Sequence, residues 1–177
     1  NGRTVSKGIC NQIKMYKDIP TSWDNWDLDS SYKKMPVPLD QKAKIRKITG
    51  PLFQTLVIER KIHNSSYTQE VILKEHGPRI DFHTVVDWKE SHKLLKVNFP
   101  VDIQTDEGLN EIQFGYIKRP NHMSRQYDQD RFEVSNQRWT ALTEENYGVA
   151  VLNDCKYGVS MEDKSINLTL LKSGLAP

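Results

Sequence analysis

The chain has little of what most often carries chemistry. Its two cysteines, Cys10 and Cys155, stand too far apart in sequence to suggest a disulfide framework or a cysteine zinc site. They read as two reduced core thiols of a cytoplasmic protein. No two of the five histidines are three or four residues apart, so no metal motif is spelled within the chain. A Gly-rich phosphate loop and a Gly-x-Ser-x-Gly elbow are also missing. No apolar run reaches membrane-spanning length. Neither sign of charge dominates: 25 Lys and Arg face 23 Asp and Glu, a net +2. That balance gives no electrostatic footprint for nucleic acid or an anionic membrane. No stretch of a dozen residues holds a helical apolar stripe. The opening Asn1 to Gly8 lacks an initiator Met and an apolar leader, and Lys172 to Pro177 stops just past a strand pattern. Both ends read as those of an excised fragment or processed product.

What the chain does have is a period of two. Ile80, Phe82, Thr84, Val86 and Trp88 alternate with Arg79, Asp81, His83 and Asp87. Leu95, Val97, Phe99, Val101 and Ile103 alternate with Lys96, Asn98, Pro100 and Asp102. Each pattern predicts a strand with one dry face, the second one bulged or at an edge because Pro100 donates no ladder bond. Ile112, Phe114 and Tyr116 repeat the pattern, as do Ile166, Leu168 and Leu170. Further strands are expected near Cys10 to Tyr16, Ala43 to Ile48, Phe53 to His63, Tyr67 to Lys74, Arg131 to Val134, Tyr147 to Leu152 and Tyr157 to Met161. Turn signals such as Thr49-Gly-Pro51, Asn64-Ser-Ser66 and Asp106-Glu-Gly108 separate them. The expectation is an all-β, antiparallel sandwich or barrel, one domain over 1–177, with Phe82, Trp88, Phe99 and Phe114 in its core.

Two irregular segments draw attention. Trp23-Asp-Asn-Trp-Asp-Leu-Asp29 packs Trp23 and Trp26 against Asp24, Asp27 and Asp29. Sugar sites use this mixture, because indole faces stack on ring C–H surfaces while carboxylates grip hydroxyls. The same residues suit a turn in which Asp caps backbone amides and Trp covers a sheet. Asp154, Lys156 and Tyr157 follow the apolar run Val149 to Leu152 and can face a ligand, or close a hairpin corner with a salt bridge. His122 is the most site-like histidine, in the polar loop Arg119 to Asp130. An epimerase would need an acid and a base facing one pocket, for which His83 or His122 with Glu111 are the available pairs.

Several stretches resemble one family in order and spacing. They include Tyr16-Lys-Asp-Ile-Pro20, Trp23-Asp-Asn-Trp-Asp-Leu-Asp29, Arg79-Ile-Asp-Phe82, Val86-Asp-Trp88, Phe99-Pro-Val-Asp-Ile103, Arg138-Trp139 and Asn153-Asp-Cys-Lys-Tyr-Gly158. Together they resemble the C-terminal β domain of glycoside hydrolase family 38, the zinc-dependent α-mannosidases. Asn121-His-Met-Ser-Arg125 and Ser173-Gly174 depart from the family pattern. The resemblance implies a galactose-mutarotase-like supersandwich, excised from a retaining enzyme that removes terminal α-mannosides from oligosaccharides. It also implies that the zinc, its two His and two Asp ligands and the nucleophile belong to an N-terminal catalytic domain, the expected partner. No catalytic residue, metal ligand or cofactor is therefore expected in this chain, which is expected to be inactive alone. Its own contribution would be support, with Asp154, Lys156, Tyr157, Trp23, Asp24, Trp26 and Asp27 framing the sugar. A freestanding carbohydrate-binding module of the same fold is the other reading.

Overall fold

The computed structural model describes residues 2–162 and 164–175, and they fold almost entirely as antiparallel strands. They form two compact units. One holds the described residues up to 37 and from 92 on, the other residues 38–91.

The larger unit is a sandwich. One sheet has six strands in the order β10-β13-β14-β7-β1-β2. These are β1 (Gln12–Lys17), β2 (Pro36–Val37), β7 (Lys93–Pro100), β10 (Val134–Ser135), β13 (Gly158–Glu162) and β14 (Ser165–Ser173). The other sheet has the order β12-β11-β8-β9, from β8 (Glu107–Ile112), β9 (Gly115–Pro120), β11 (Trp139–Glu144) and β12 (Tyr147–Leu152). Alternation dictates the packing. Cross-strand register puts Ile13, Val97, Leu168 and Val159 in one row of the large sheet, and Phe99, Ile166 and Met161 in the next. This apolar face meets Leu142, Tyr147, Val149 and Val151 of the smaller sheet in one core cluster.

The smaller unit is a four-stranded meander of β3 (Lys44–Thr49), β4 (Phe53–Ile62), β5 (Ser65–Lys74) and β6 (Ile80–Asp87). His63 turns the chain between β4 and β5 with φ at 58°.

Several expectations are corrected. The strand expected around Ile112, Phe114 and Tyr116 is instead a hairpin. Ile112 pairs with Gly115, so Gln113 and Phe114 form the turn. Phe114 adopts φ 63° there and is fully exposed rather than in the core. Phe82 is 40 % exposed, on β6, an edge strand of the four-stranded sheet. Pro100 does not mark an edge: β7 is paired on both sides, and Pro100 is its last residue, beyond the pairing with β1. The bulge lies in β14, between Thr169 and Leu171. Strand β11 shows no alternation because Thr140, Ala141 and Leu142 are all buried. Cys10 and Cys155 are free thiols on the surface, not in the core. No helix of the described residues is long and apolar enough to cross a membrane.

Candidate functional site

Both loops nominated from the sequence lie at one end of the six-stranded sheet. The segment after β1 returns near the start of β7 and the end of β14, since Asp18 N–H donates to the His92 carbonyl at 2.9 Å. The segment before β13 lies at the same end, because β13 runs antiparallel to β14.

The loop between Asp18 and Asp29 is built around a lysine. Lys172, near the end of β14, donates from Nζ to the carbonyls of Asp24 and Asp27, each at 2.5 Å. Its ammonium also lies 3.5 Å from the buried Asp18 carboxylate. Asp24 accepts from Leu175 N–H at 2.7 Å, and His92 Nδ1 stands 3.5 Å from Asp24 Oδ1. Burial pushes the Asp18 carboxyl up and Lys172 pulls it back. Asp29 accepts from Thr21 at its amide and hydroxyl. So Asp18, Asp24 and Asp29 hold the loop. The indoles of Trp23 and Trp26 point outward, 65 % and 83 % exposed. The carboxylates thus hold the segment, as a turn would, and the indoles are exposed.

The second loop is pinned by asparagines. Asn153 accepts Lys156 N–H at 2.6 Å and donates to Asn136 Oδ1 at 2.9 Å. Asn136, 2 % exposed, donates in turn to the carbonyls of Lys156 and Tyr157. The salt bridge between Asp154 and Lys156, one of the two alternatives for this corner, is absent among the described residues. Asp154 and Tyr157 are exposed, and Lys156 is half-buried. Sequence reasoning missed Asn136 as the anchor, although Asn153, an Asx-turn residue, stood in the quoted motif.

A more deeply set pair was also missed. Lys96 reads as a wet-face residue of β7, yet its side chain is only 3 % exposed. Its ammonium donates to both oxygens of Glu133 at 2.5 and 2.6 Å and to Thr169 Oγ1 at 2.8 Å. Tyr32, in the 3₁₀ helix Ser30–Lys34, lays its ring 5.7 Å from the ammonium and reaches Glu133 with its hydroxyl. Burial lowers the Lys96 pKa, against the pull of Glu133. Gly158 stands against this pair: a Cβ there would lie 3.3 Å from Glu133 Oε1 and 3.2 Å from Thr169 Cβ.

His122 and Glu111 are otherwise engaged. His122 Nδ1 sits 2.5 Å from Ser124 Oγ, in the loop that folds around buried Asp128 and the short α1 (Gln126–Gln129). Glu111 accepts Arg138 N–H at 2.6 Å.

The described residues do not fit a zinc ion: they contain no group of three or more His, Cys, Asp and Glu placed to hold a metal. Asp18 and Asp24 are tied instead to Lys172, whose ammonium lies 3.5 Å from the Asp18 carboxylate and donates to the Asp24 carbonyl.

The model of the glycosyl hydrolases family 38 C-terminal domain matches residues 1–177. The chain belongs to this family. This C-terminal domain is 38 % identical over 175 residues to alpha-mannosidase 2C1 of Homo sapiens, covering 96 % of the chain and 16 % of that protein. Alpha-mannosidase G of Dictyostelium discoideum is 37 % identical over 173 residues, with 94 % of the chain and again 16 % of the relative covered. The domain thus spans about 16 % of the length of these relatives. A glycosyl hydrolase family 38 protein from Enterococcus faecalis shares the fold, with a TM-score of 0.79 at 15 % identity over 98 % of this chain and 23 % of its own. An alpha-mannosidase from the same bacterium superposes with a TM-score of 0.77.

Proposed function

We propose that this chain is the supporting β domain of a zinc-dependent, retaining α-mannosidase that hydrolyses terminal α-mannosides of oligosaccharides. The carrying observation is the match to the family 38 C-terminal domain over residues 1–177, with only 16 % of the α-mannosidase relatives' length covered. In this reading the zinc and the nucleophile belong to an N-terminal catalytic domain. The β domain packs beside it and presents Trp23, Trp26, Asp154, Lys156 and Tyr157 toward the sugar, with Asp24 and Asp27 holding the first loop in shape. The exposed aromatics at one end of the sheet support that assignment, since such rings are free to stack on a sugar. The compartment is the cytoplasm.

The test has two arms. The 177-residue chain, assayed on an aryl α-mannoside with added zinc, is expected to show no turnover. Turnover that copurifies with it overturns the supporting role. In the full-length enzyme, Asp154→Asn and Lys156→Met are expected to lower activity at unchanged stability. Unchanged activity in both variants removes the second loop from the sugar site.

A further inference from the structure

The large sheet has a second face, and it is polar where the first is apolar. Register places Lys14, Lys96 and Thr169 in one row across β1, β7 and β14. The next row holds Gln12, Asn98, Asn167 and Ser160, and a third pairs Ser165 with Glu162. The 3₁₀ helix covers only part of this face. Beside Tyr32 and Lys33 it leaves a cleft of about 230 Å³ whose floor includes Asn98, Asn167 and Ser160. That volume lies below the ~300 Å³ at which pockets for drug-sized ligands begin, so the cleft suits one small ring.

We propose that this cleft binds a single neutral sugar ring or a polyol of similar size. The inference stands on the floor of the cleft and does not rest on the mannosidase reading. Asn98 and Asn167 clamp each other, Nδ2 to Oδ1 at 2.7 Å. That bond fixes both amide planes. It leaves Asn98 Oδ1 as an acceptor and Asn167 Nδ2 as a donor group outside that bond, on two residues that line the cleft. Asn98 and Ser160 are each 5 % exposed, so the floor is built into the sheet rather than displayed on its surface.

Charge decides the class of ligand. Lys96 is taken by Glu133, and Lys33 is paired with Glu162. Among the described residues, Lys14 is the only lining lysine with no carboxylate within ion-pair distance. An anion site would present donors alone, in excess of acceptors. Here amides, hydroxyls and a carboxylate alternate, which matches groups that donate and accept together, as sugar hydroxyls do. At the wall, Tyr16 packs edge-on to Tyr32 with ring centroids 5.1 Å apart. The half-exposed Tyr16 offers an aromatic face for ring C–H groups.

The experiment is titration of the chain with methyl α-D-mannopyranoside, D-glucitol and inorganic phosphate, read by calorimetry and ligand-observed NMR. Saturable binding of the pyranoside or the polyol is expected, with phosphate inert. Asn167→Ala should weaken it about tenfold, as loss of a hydrogen bond or two does. Ser165→Leu, which adds bulk at a lining position one row along from the Asn98–Asn167 clamp, should abolish it. Each variant is checked for an unchanged unfolding midpoint. If Asn167→Ala unfolds, Ser165→Leu still decides. Binding of phosphate in preference to either polyol overturns the proposal. So does no binding of any probe, or binding that survives both folded variants.

Discussion

At the scale of single residues, the buried charges dominate. Lys96 lost its water on folding and is compensated by both oxygens of Glu133, by Thr169 and by the Tyr32 ring. Removing one partner leaves the other charge stranded, which typically costs about 3–5 kcal/mol, whereas replacing both by apolar groups is often near neutral. Lys96→Met is therefore expected to destabilise by about that amount, and Lys96→Met with Glu133→Leu to recover most of it. Urea denaturation of the three proteins measures both. A single-variant loss below about 1 kcal/mol would place this pair with exposed ones.

The pair Arg3–Glu144 makes the opposite case, being partly open to solvent. The hydrogen bond from Arg3, aided by Gln104 N–H, holds the Glu144 carboxyl down to about 2 from an ordinary 4.5. A depressed carboxylate contributes stability above its unfolded pKa and loses it as pH falls through the folded one. The stabilisation is thus present above about pH 4.5 and fades toward about pH 2. Arg3→Met is expected to lower the unfolding temperature at neutral pH and to have a much smaller effect near pH 2. An equal effect at both pH values would mean that Arg3 acts through its packing on Tyr147.

At the scale of elements, the period of two located most strands, because a half-buried strand writes its burial into alternate residues. It failed where burial was not alternate. Strand β11 is buried at three successive residues, and β7 has Lys96 under Tyr32 and Glu133. Those covering pieces carry no periodicity of their own, so nothing in the sequence announces which polar face they bury. The candidate loops were legible as aromatic and acidic clusters. Their anchors Lys172 and Asn136 were not, being contacts made across long sequence separations. Asn136 tests how far the second loop depends on such an anchor. Asn136→Ala frees the Lys156 carbonyl and the Asn153 side-chain amide, while the Tyr157 carbonyl keeps the backbone N–H of residue 136; the cost is about 1–3 kcal/mol for each buried group left unsatisfied. The expected result is a measurable loss of stability together with faster exchange of the Lys156 amide, which Asn153 holds. A stability loss with unchanged Lys156 exchange would show that Asn136 braces β10 and β13 but not the loop.

At the scale of the whole molecule, the two units differ in how they bury apolar surface. The larger unit closes two sheets on one cluster, with Ile103, Leu142, Val159 and Ile166 fully buried. The smaller unit has one sheet. Its buried apolar side chains are Val57, Ile62 and Tyr67, while Ile45, Leu56, Phe82, Leu73 and Ile80 are 40 % exposed or more. Register shows that much of this exposed surface is one face: Lys47, Leu56, Val71 and Phe82 form a row, and Leu73 with Ile80 lies in the next. A continuous exposed apolar face of this kind costs solubility more than stability. Phe82→Ser is therefore expected to leave the unfolding free energy within about 0.5 kcal/mol, the usual range for surface positions. It should also lower the binding of a hydrophobic dye and raise the concentration at which the protein aggregates. Phe99→Ala makes the contrast, since Phe99 packs on the core cluster and buried Phe truncations cost about 3–5 kcal/mol. Denaturation and dye binding measured on both variants separate the two faces. A loss of several kcal/mol for Phe82→Ser would show that its ring is buried in solution, and that the face it belongs to is closed rather than open.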